Sequence, residues 1–397
     1  MHVIVPAEDS ESELCSEFRL SYPEAPPALK NPAGLVEVNF PLAAGEPVPR
    51  LVFARQFLPN ANRIWAESIR NWAQTVFANI AETLPETQPW SLHIDSHYGK
   101  TAPPRIGARA FHTLRRLRRA EVQSPKSKVQ SLGGGEQKSD GAKTGESFVD
   151  QEAGRRRSGL IREALLELLQ KKRRHLLRNL RSEPVPFTGS DSLVQVVLTS
   201  PASGFLSMAV APLPCEHRHL ISFFPGGEVQ VATDKAAPSR AFAKLVEAEQ
   251  RLGQKITAGQ SCVDLGASPG SWSFVAVKRS ARVIAVDRSP LRPDLMQDPL
   301  LRFSAGDAFC FRPSVSVDWL LCDLIAPPEQ TAELLLNWLR RGWCRRFVVT
   351  IKLKDTSGLG TVDLLKRQVP PLASEFFLLR LCSNKKEICA FGLARNK

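Results

Sequence analysis

The chain has 397 residues, room for two or three domains with full cores, and a hydrophobic content of 43% that suits a globular protein. It carries 53 Lys and Arg against 40 Asp and Glu, a net charge of +13 with a pI near 9.6, so a polyanionic partner is expected and nucleic acid is the leading one. No apolar run reaches eighteen residues, which argues against a membrane-spanning helix, and eight cysteines without a Cys-x-x-Cys pair argue against structural zinc or a disulfide framework.

The cysteine usage suits a reducing, cytoplasmic setting. Met1 to Pro6 lacks the basic flank and long apolar stretch of a signal peptide. His217 and His219 near Cys215 lack further spaced ligands and read as hairpin residues, so no metal site is expected.

In chain order, residues 1–33 mix acids with prolines and are expected to be irregular. Leu35 to Phe40 alternates like a half-buried strand, and Pro49 to Gln56 reads as another. Arg63 to Leu84 sets Ile64, Ile69, Trp72, Val76, Phe77 and Ile80 on one helical face, and Trp90 to Asp95 alternates again. Residues 103–158 hold Arg115 to Arg119, a Ser, Gly, Lys and Gln tract and Arg155 to Arg157; such a stretch buries too little apolar area to order itself and is expected to be a mobile basic insert. Leu160 to Leu180 reads as an amphipathic helix with Lys171, Lys172, Arg173, Arg174 and Arg178 on its polar side, and its lack of interfacial aromatics disfavours a membrane. Ser192 to Leu198 and Gly204 to Val210 resemble a hairpin. The expected organisation is one α+β domain over 34–102 and 159–225, interrupted by the insert, and a second domain over 230–397.

The second domain reads as an α/β fold, strands alternating with helices around a mostly parallel sheet. Its centre is Ser261 to Asp287, an apolar strand ending at Asp264 and Leu265, a Gly266-Ala267-Ser268-Pro269-Gly270 loop, a helix, and a β-branched strand ending at Asp287. A glycine loop lets the backbone approach a ligand, and an acid at the next strand end suits ribose hydroxyls. The loop is Gly-x-x-x-Gly and not the pyrophosphate-holding Gly-x-Gly-x-x-Gly, so a nucleoside without phosphates fits better, S-adenosylmethionine foremost.

Four further ionisable residues stand at element ends of this domain: Lys244, Asp323, Lys352 and Glu387. Alkylating a ribose hydroxyl needs an amine able to take or share its proton, which a neighbouring cation and burial promote by lowering the amine's pKa, with carboxylates to orient it. Two lysines with two acids suit that task. Asp323-Leu324-Ile325-Ala326-Pro327-Pro328 lacks the acid, proline and aromatic pattern of base-amine methylation, and Cys322 lies inside an apolar run, as a core thiol does.

SRAFAKL around Lys244, DLGASPGSW from Asp264 to Trp272, GDAF with Asp307, VDWLLCD ending at Asp323, IKLK with Lys352 and KKEI with Glu387 resemble the FtsJ-type RNA 2′-O-ribose methyltransferases. FARQ at Phe53 to Gln56, PSR before Lys244, FRP at Phe311 to Pro313 and NWLRRGWCR at Asn337 to Arg345 are similar to the bacterial large-subunit ribosomal RNA cytidine 2′-O-methyltransferases, which join a THUMP-type RNA-binding domain to the catalytic fold. The resemblance implies a Rossmann-like methyltransferase domain, a Lys-Asp-Lys-Glu tetrad with Lys352 as general base, and RNA, most closely large-subunit ribosomal RNA or a precursor particle, as substrate. It implies cofactor contacts at Asp264, Gly266, Ser268, Pro269, Gly270, Ser271, Trp272, Asp287, Asp307 and Asp323. The loop departs from the family at Gly270-Ser271, where two glycines are usual, and Lys354 offers a second amine beside Lys352. The competing expectation is a non-catalytic RNA-binding or assembly factor that keeps the fold.

Overall fold

Hydrogen-bonded pairing among the described residues yields three sheets. The computed structural model describes residues 1–40, 51–98, 142–182, 184–188, 190–211, 220–353 and 358–395, with side chains of its longest helix from residue 152 onward. Strands β1 (His2–Pro6), β2 (Leu29–Lys30), β3 (Val36–Val38) and β4 (Ala54–Leu58) form the first sheet in the order β2-β3-β1-β4, with helix α1 (Glu11–Ser21) between the first two strands. Residues 1–33, expected to be irregular, therefore hold two strands and a helix. The apolar run His2 to Pro6 is buried along its whole length because β1 lies between β3 and β4, and Glu17 of α1 accepts the amides of Val52 and Phe53 at 2.8 and 3.2 Å and Lys366 at 2.5 Å. These partners are distant in sequence, so local composition does not reveal them. The strand expected over Pro49 to Gln56 is β4, which starts five residues later; Pro49 and Arg50 lie outside the described residues.

The second sheet runs β5-β8-β7-β6, from β5 (Asn62–Trp65), β6 (Trp90–Ser96), β7 (Ser192–Leu198) and β8 (Ser203–Ala209). Helix α2 (Ile69–Thr83) is capped by Ser68, whose hydroxyl accepts the Asn71 amide at 3.1 Å, and it buries Trp72, Val76 and Ile80 as the periodicity requires. The helix expected from Arg63 thus starts at Ile69, because Asn62 to Trp65 pairs with β8. Helix α3 (Ala142–Lys172) buries Ile161, Leu165 and Leu169, and a short α4 (Arg174–Asn179) follows a break at Arg173. Helix α3 begins inside the stretch expected to be an unstructured insert; residues 103–141 of that stretch lie outside the described residues, as do Cys215, His217 and His219.

The third sheet has seven strands in the order β11-β10-β9-β12-β13-β15-β14: β9 (Ser261–Leu265), β10 (Arg282–Asp287), β11 (Leu301–Ala305), β12 (Val317–Cys322), β13 (Cys344–Lys352), β14 (Ala373–Leu379) and β15 (Glu387–Ala394). The first five are parallel, and β15 runs antiparallel between β13 and β14. Helices α5 (Phe242–Leu252), α6 (Ser271–Lys278), α7 (Pro293–Met296), α8 (Pro328–Arg341) and α9 (Leu359–Gln368) complete this half. Successive strand residues go to opposite faces, so Val263, Leu320 and Val349 pack with α8 and α9, while Cys262, Trp319 and Val348 pack with α5 and α6. Both faces are covered, which is why β9 and β12 read as continuous apolar runs. Strand β9 has β10 on one side and β12 on the other, so the strand order reverses there and a crevice opens beyond their carboxyl ends. Among the described residues no helix is long and apolar enough to cross a membrane.

Candidate active site

The glycine loop between β9 and α6 sits at that crevice. Gly266 has φ +75°, and a Cβ there would come within 2.7 Å of the Leu324 side chain, so the backbone can lie this close to the segment after β12 only without a side chain. The Asp323 amide donates to the Leu265 carbonyl at 3.2 Å, holding the ends of β12 and β9 together. Gly270 has φ +106° and leads into α6, with the Leu295 and Leu291 side chains where its Cβ would be. The Ser268–Pro269 peptide is cis.

Most side chains of the loop are spent on its own shape. Asp264 is 1% exposed and accepts both the amide and the hydroxyl of Ser273, at 2.9 and 2.7 Å, so it anchors the first turn of α6 and is turned away from the crevice. Trp272, 2% exposed, donates its indole N–H to Ala241 at 2.8 Å, and Ser271 shares a 2.7 Å hydroxyl contact with Ser239. Ser268 gives its hydroxyl to the Pro290 carbonyl at 3.0 Å. Asp264, Trp272 and Ser271, expected to touch a cofactor, each make a bond that supports the loop, because a tight backbone turn needs its polar groups satisfied internally. Ser239 and Ala241 are supports the residue pattern did not single out, although the PSR motif contains the first of them.

What faces outward is the loop backbone and three carboxylates. Asp287, half-buried at the end of β10, accepts the Ser268 amide at 3.0 Å and the Ser289 amide at 2.8 Å, so it both fixes the loop and stands at the strand end suited to ribose hydroxyls. Asp307 follows β11 and accepts the Phe309 amide at 2.9 Å and Arg288 at 2.5 Å; these bonds hold its pKa below the ordinary carboxylate value. Asp323 is the third. A loop with a glycine at positive φ at each end, flanked by carboxylates at successive strand ends, fits a cationic nucleoside such as S-adenosylmethionine.

Lys244, Asp323, Lys352 and Glu387 meet in a closed ring of alternating charge. Lys244 bonds Asp323 at 2.7 Å and Glu387 at 2.9 Å; Lys352 bonds Asp323 at 2.7 Å and also Glu387. Each comes from a different element. Lys244 is on the inner face of α5, Asp323 follows β12, Lys352 ends β13, and Glu387 begins β15 directly opposite Lys352 in the antiparallel register. Each ammonium has three N–H donors and, among the described residues, spends two on the ring. The Lys352 side chain keeps 21% of its surface exposed against 8% for Lys244 and 9% for Glu387, so Lys352 is the amine that reaches solvent. Lys354 lies outside the described residues.

The electrostatics correct one expectation. A neighbouring cation was expected to lower the lysine's pKa. Burial does pull Lys352 downward, but the charges and hydrogen bonds of Asp323 and Glu387 outweigh it and the net shift is upward. Burial likewise pushes Asp323 up, yet the charges of Lys244 and Lys352 prevail and hold it below its ordinary value. Two carboxylates cancel the mutual repulsion of two amines, and Lys352 stands charged.

Residues 237–372 match the family model described as FtsJ-like methyltransferase. Three curated relatives, each named ribosomal RNA large subunit methyltransferase M, are similar to part of the chain. The protein from Marinomonas sp. (strain MWYL1) is 41% identical over 138 residues, 33% of this chain and 39% of its own length. That from Halorhodospira halophila (strain DSM 244 / SL1) is 35% identical over 172 residues, 43% of this chain and 51% of its own. That from Thauera aminoaromatica is 32% identical over 210 residues, 50% of this chain and 56% of its own. The aligned part of the chain thus spans about half the length of these relatives. The glycine loop, helix α5 and strands β9 to β13 fall within the matched stretch, and the chain carries an FtsJ-like methyltransferase domain over residues 237–372, its sheet extended beyond that stretch by β14 and β15.

Proposed function

We propose that the chain transfers the methyl group of S-adenosylmethionine to a ribose 2′-oxygen of RNA, with large-subunit ribosomal RNA as the substrate. The observation that carries this reading is the ring of two amines and two carboxylates at the carboxyl ends of β12 and β13, in the same crevice as the glycine loop after β9. The bound cofactor supplies an electrophilic methyl on a sulfonium. The loop from Gly266 to Gly270, with Asp287 and Asp307, would hold its nucleoside, and Asp323 would stand near its positive charge.

Lys352, the more exposed of the two amines, would hold the ribose hydroxyl. It can take the hydroxyl proton only after shedding one of its own. A further positive charge in the crevice and the exclusion of water both act in that direction, since each disfavours an ammonium. Asp323, Glu387 and Lys244 keep the amine's position fixed throughout. The sheet β5-β8-β7-β6, with the exposed cations Lys171, Lys172, Arg173, Arg174 and Arg178 of α3, α4 and the break between them, supports an RNA-binding role of the THUMP type for the preceding half.

Lys352→Arg separates charge from proton transfer, because a guanidinium keeps the ion pairs and does not deprotonate. Labelled methyl transfer to ribosomal RNA is expected to fall about 10²- to 10⁴-fold, with the melting temperature near that of the wild type. Undiminished labelling by the variant refutes the base assignment. A wild-type chain that binds RNA and leaves it unlabelled supports the non-catalytic binding factor instead.

A further inference from the structure

Two motifs have no part in the ring of charges: Phe311-Arg312-Pro313, and Asn337 to Arg345. The fold brings them together. The Arg312 guanidinium lies over the Trp343 ring, 5.5 Å from its centroid, and Trp343 meets Trp338 edge-on at 5.6 Å and 85°. Arg312 is held there by its own bonds to the Phe309 and Phe311 carbonyls, at 2.8 and 2.7 Å. Together these residues line a cavity of about 660 Å³ that follows one face of α8 from Gln330 through Asn337 to Arg341. Asp307, which stands at the cofactor rim, lines the same cavity, so the groove leads away from the crevice along the outside of the domain.

The charges in this groove are unevenly satisfied. Its two carboxylates are already paired, Asp307 with Arg288 at 2.5 Å and Glu333 with Arg340 at 3.1 Å. Arg312 and Arg341 have no carboxylate partner among the described residues, and Arg341 and Asn337 are exposed. A stacked guanidinium and indole with an unneutralised arginine about one helical turn beyond an exposed amide is the equipment for a base and its phosphate. A protein partner would instead call for unpaired acids or a continuous apolar patch.

We infer that the groove beside α8 docks a single-stranded segment of the RNA substrate, with a base against the Arg312–Trp343 pair and a phosphate on Arg341. This inference rests on RNA being the substrate, as proposed above. It adds a contact surface lined by neither the basic helices of the first half nor the ring of charges.

Arg341→Glu tests it in the full chain, since Arg341 is exposed and makes no bond that holds the fold. Binding of a large-subunit ribosomal RNA transcript is followed by fluorescence anisotropy at several salt concentrations, beside steady-state methyl transfer. The Kd and KM for RNA are expected to rise about tenfold, with the salt slope lowered by about 0.7–0.9 for the lost phosphate contact. The kcat at saturating RNA and the affinity for S-adenosylmethionine stay at wild-type values, and Arg341→Lys recovers most of the RNA affinity. Unchanged RNA affinity and salt slope in Arg341→Glu overturn the inference. Binding is read without turnover, so a wild-type chain that transfers no methyl, yet loses RNA affinity on this substitution, contradicts the methyl-transfer reading and leaves the groove in place.

Discussion

Helix α5 carries two buried charge clusters on adjacent turns, and they are built differently. Glu247, fully buried, accepts Arg251 at 2.8 and 3.0 Å and the backbone amides of Cys382 and Ser383 at 3.0 and 3.3 Å, while Arg251 also bonds the Gly227 carbonyl at 2.8 Å. Three residues earlier, Lys244 joins a ring in which, among the described residues, the side-chain carboxylates of Asp323 and Glu387 bond lysine amines. The first cluster ties its charges to the main chain and cannot change without moving it. The second keeps its charges on side chains at a crevice, where a proton can be exchanged. Backbone-anchored charge is structure, and amine-anchored charge at an opening is chemistry.

The widest break in this comparison comes from Glu247→Ala. It leaves Arg251 without its carboxylate and two amides without partners in a dry site, and urea unfolding is expected to show a loss of about 3–5 kcal/mol. Activity per folded molecule should be kept at temperatures where the variant still folds. Glu387→Gln has the opposite profile: shape and an acceptor are retained, but Lys352 loses one charge-assisted bond of about 1.5–3 kcal/mol. The kcat is expected to fall on the order of 10- to 100-fold, read by labelled methyl transfer, with the unfolding midpoint changed less than by Glu247→Ala. If Glu387→Gln destabilises more than it slows turnover, the two clusters are not distinct in kind.

Asp264 sharpens the contrast at smaller scale, because it lies beside the cradle yet acts as an anchor. Burial raises its pKa to about 7, against the two hydrogen bonds from Ser273 and with help from the charges of Asp323 and Asp287. The folded value lies above the unfolded value of about 3.9, so the folded chain holds this proton more tightly. Its contribution to stability is complete below about pH 4 and is lost as pH rises through about 7. Asp264→Asn cannot lose a proton, so its stability relative to the wild type, read as the difference in unfolding free energy, should rise from pH 4 to pH 7. Parallel stability curves for the two proteins would show that Asp264 does not titrate in this window.

Much of the methyltransferase half is readable along the chain because its determinants are local. Apolar runs that end in an acid mark β9, β10 and β12, and Gly266 and Gly270 stand where positive φ is needed. The four residues of the ring are each visible at an element boundary, and only the topology supplies their meeting. The first 33 residues are legible only in retrospect, since β1 is stabilised by β3 and β4 and Glu17 by Val52, Phe53 and Lys366. The supporting bonds of Asp264 and Trp272 are equally hidden, because they depend on where Ser273 and Ala241 come to lie. The direction of the Lys352 shift needed the count of carboxylates around it, and a linear sequence does not give that count.

The most direct measurement digests ribosomal RNA to nucleosides after incubation with the chain and methyl-labelled S-adenosylmethionine, and locates the label by mass spectrometry. Label confined to a 2′-O-methyl nucleoside, and lost with Lys352→Arg, is the predicted result. Label on a base, or ribose label that survives Lys352→Arg, would contradict the role assigned to the ring of two lysines and two acids.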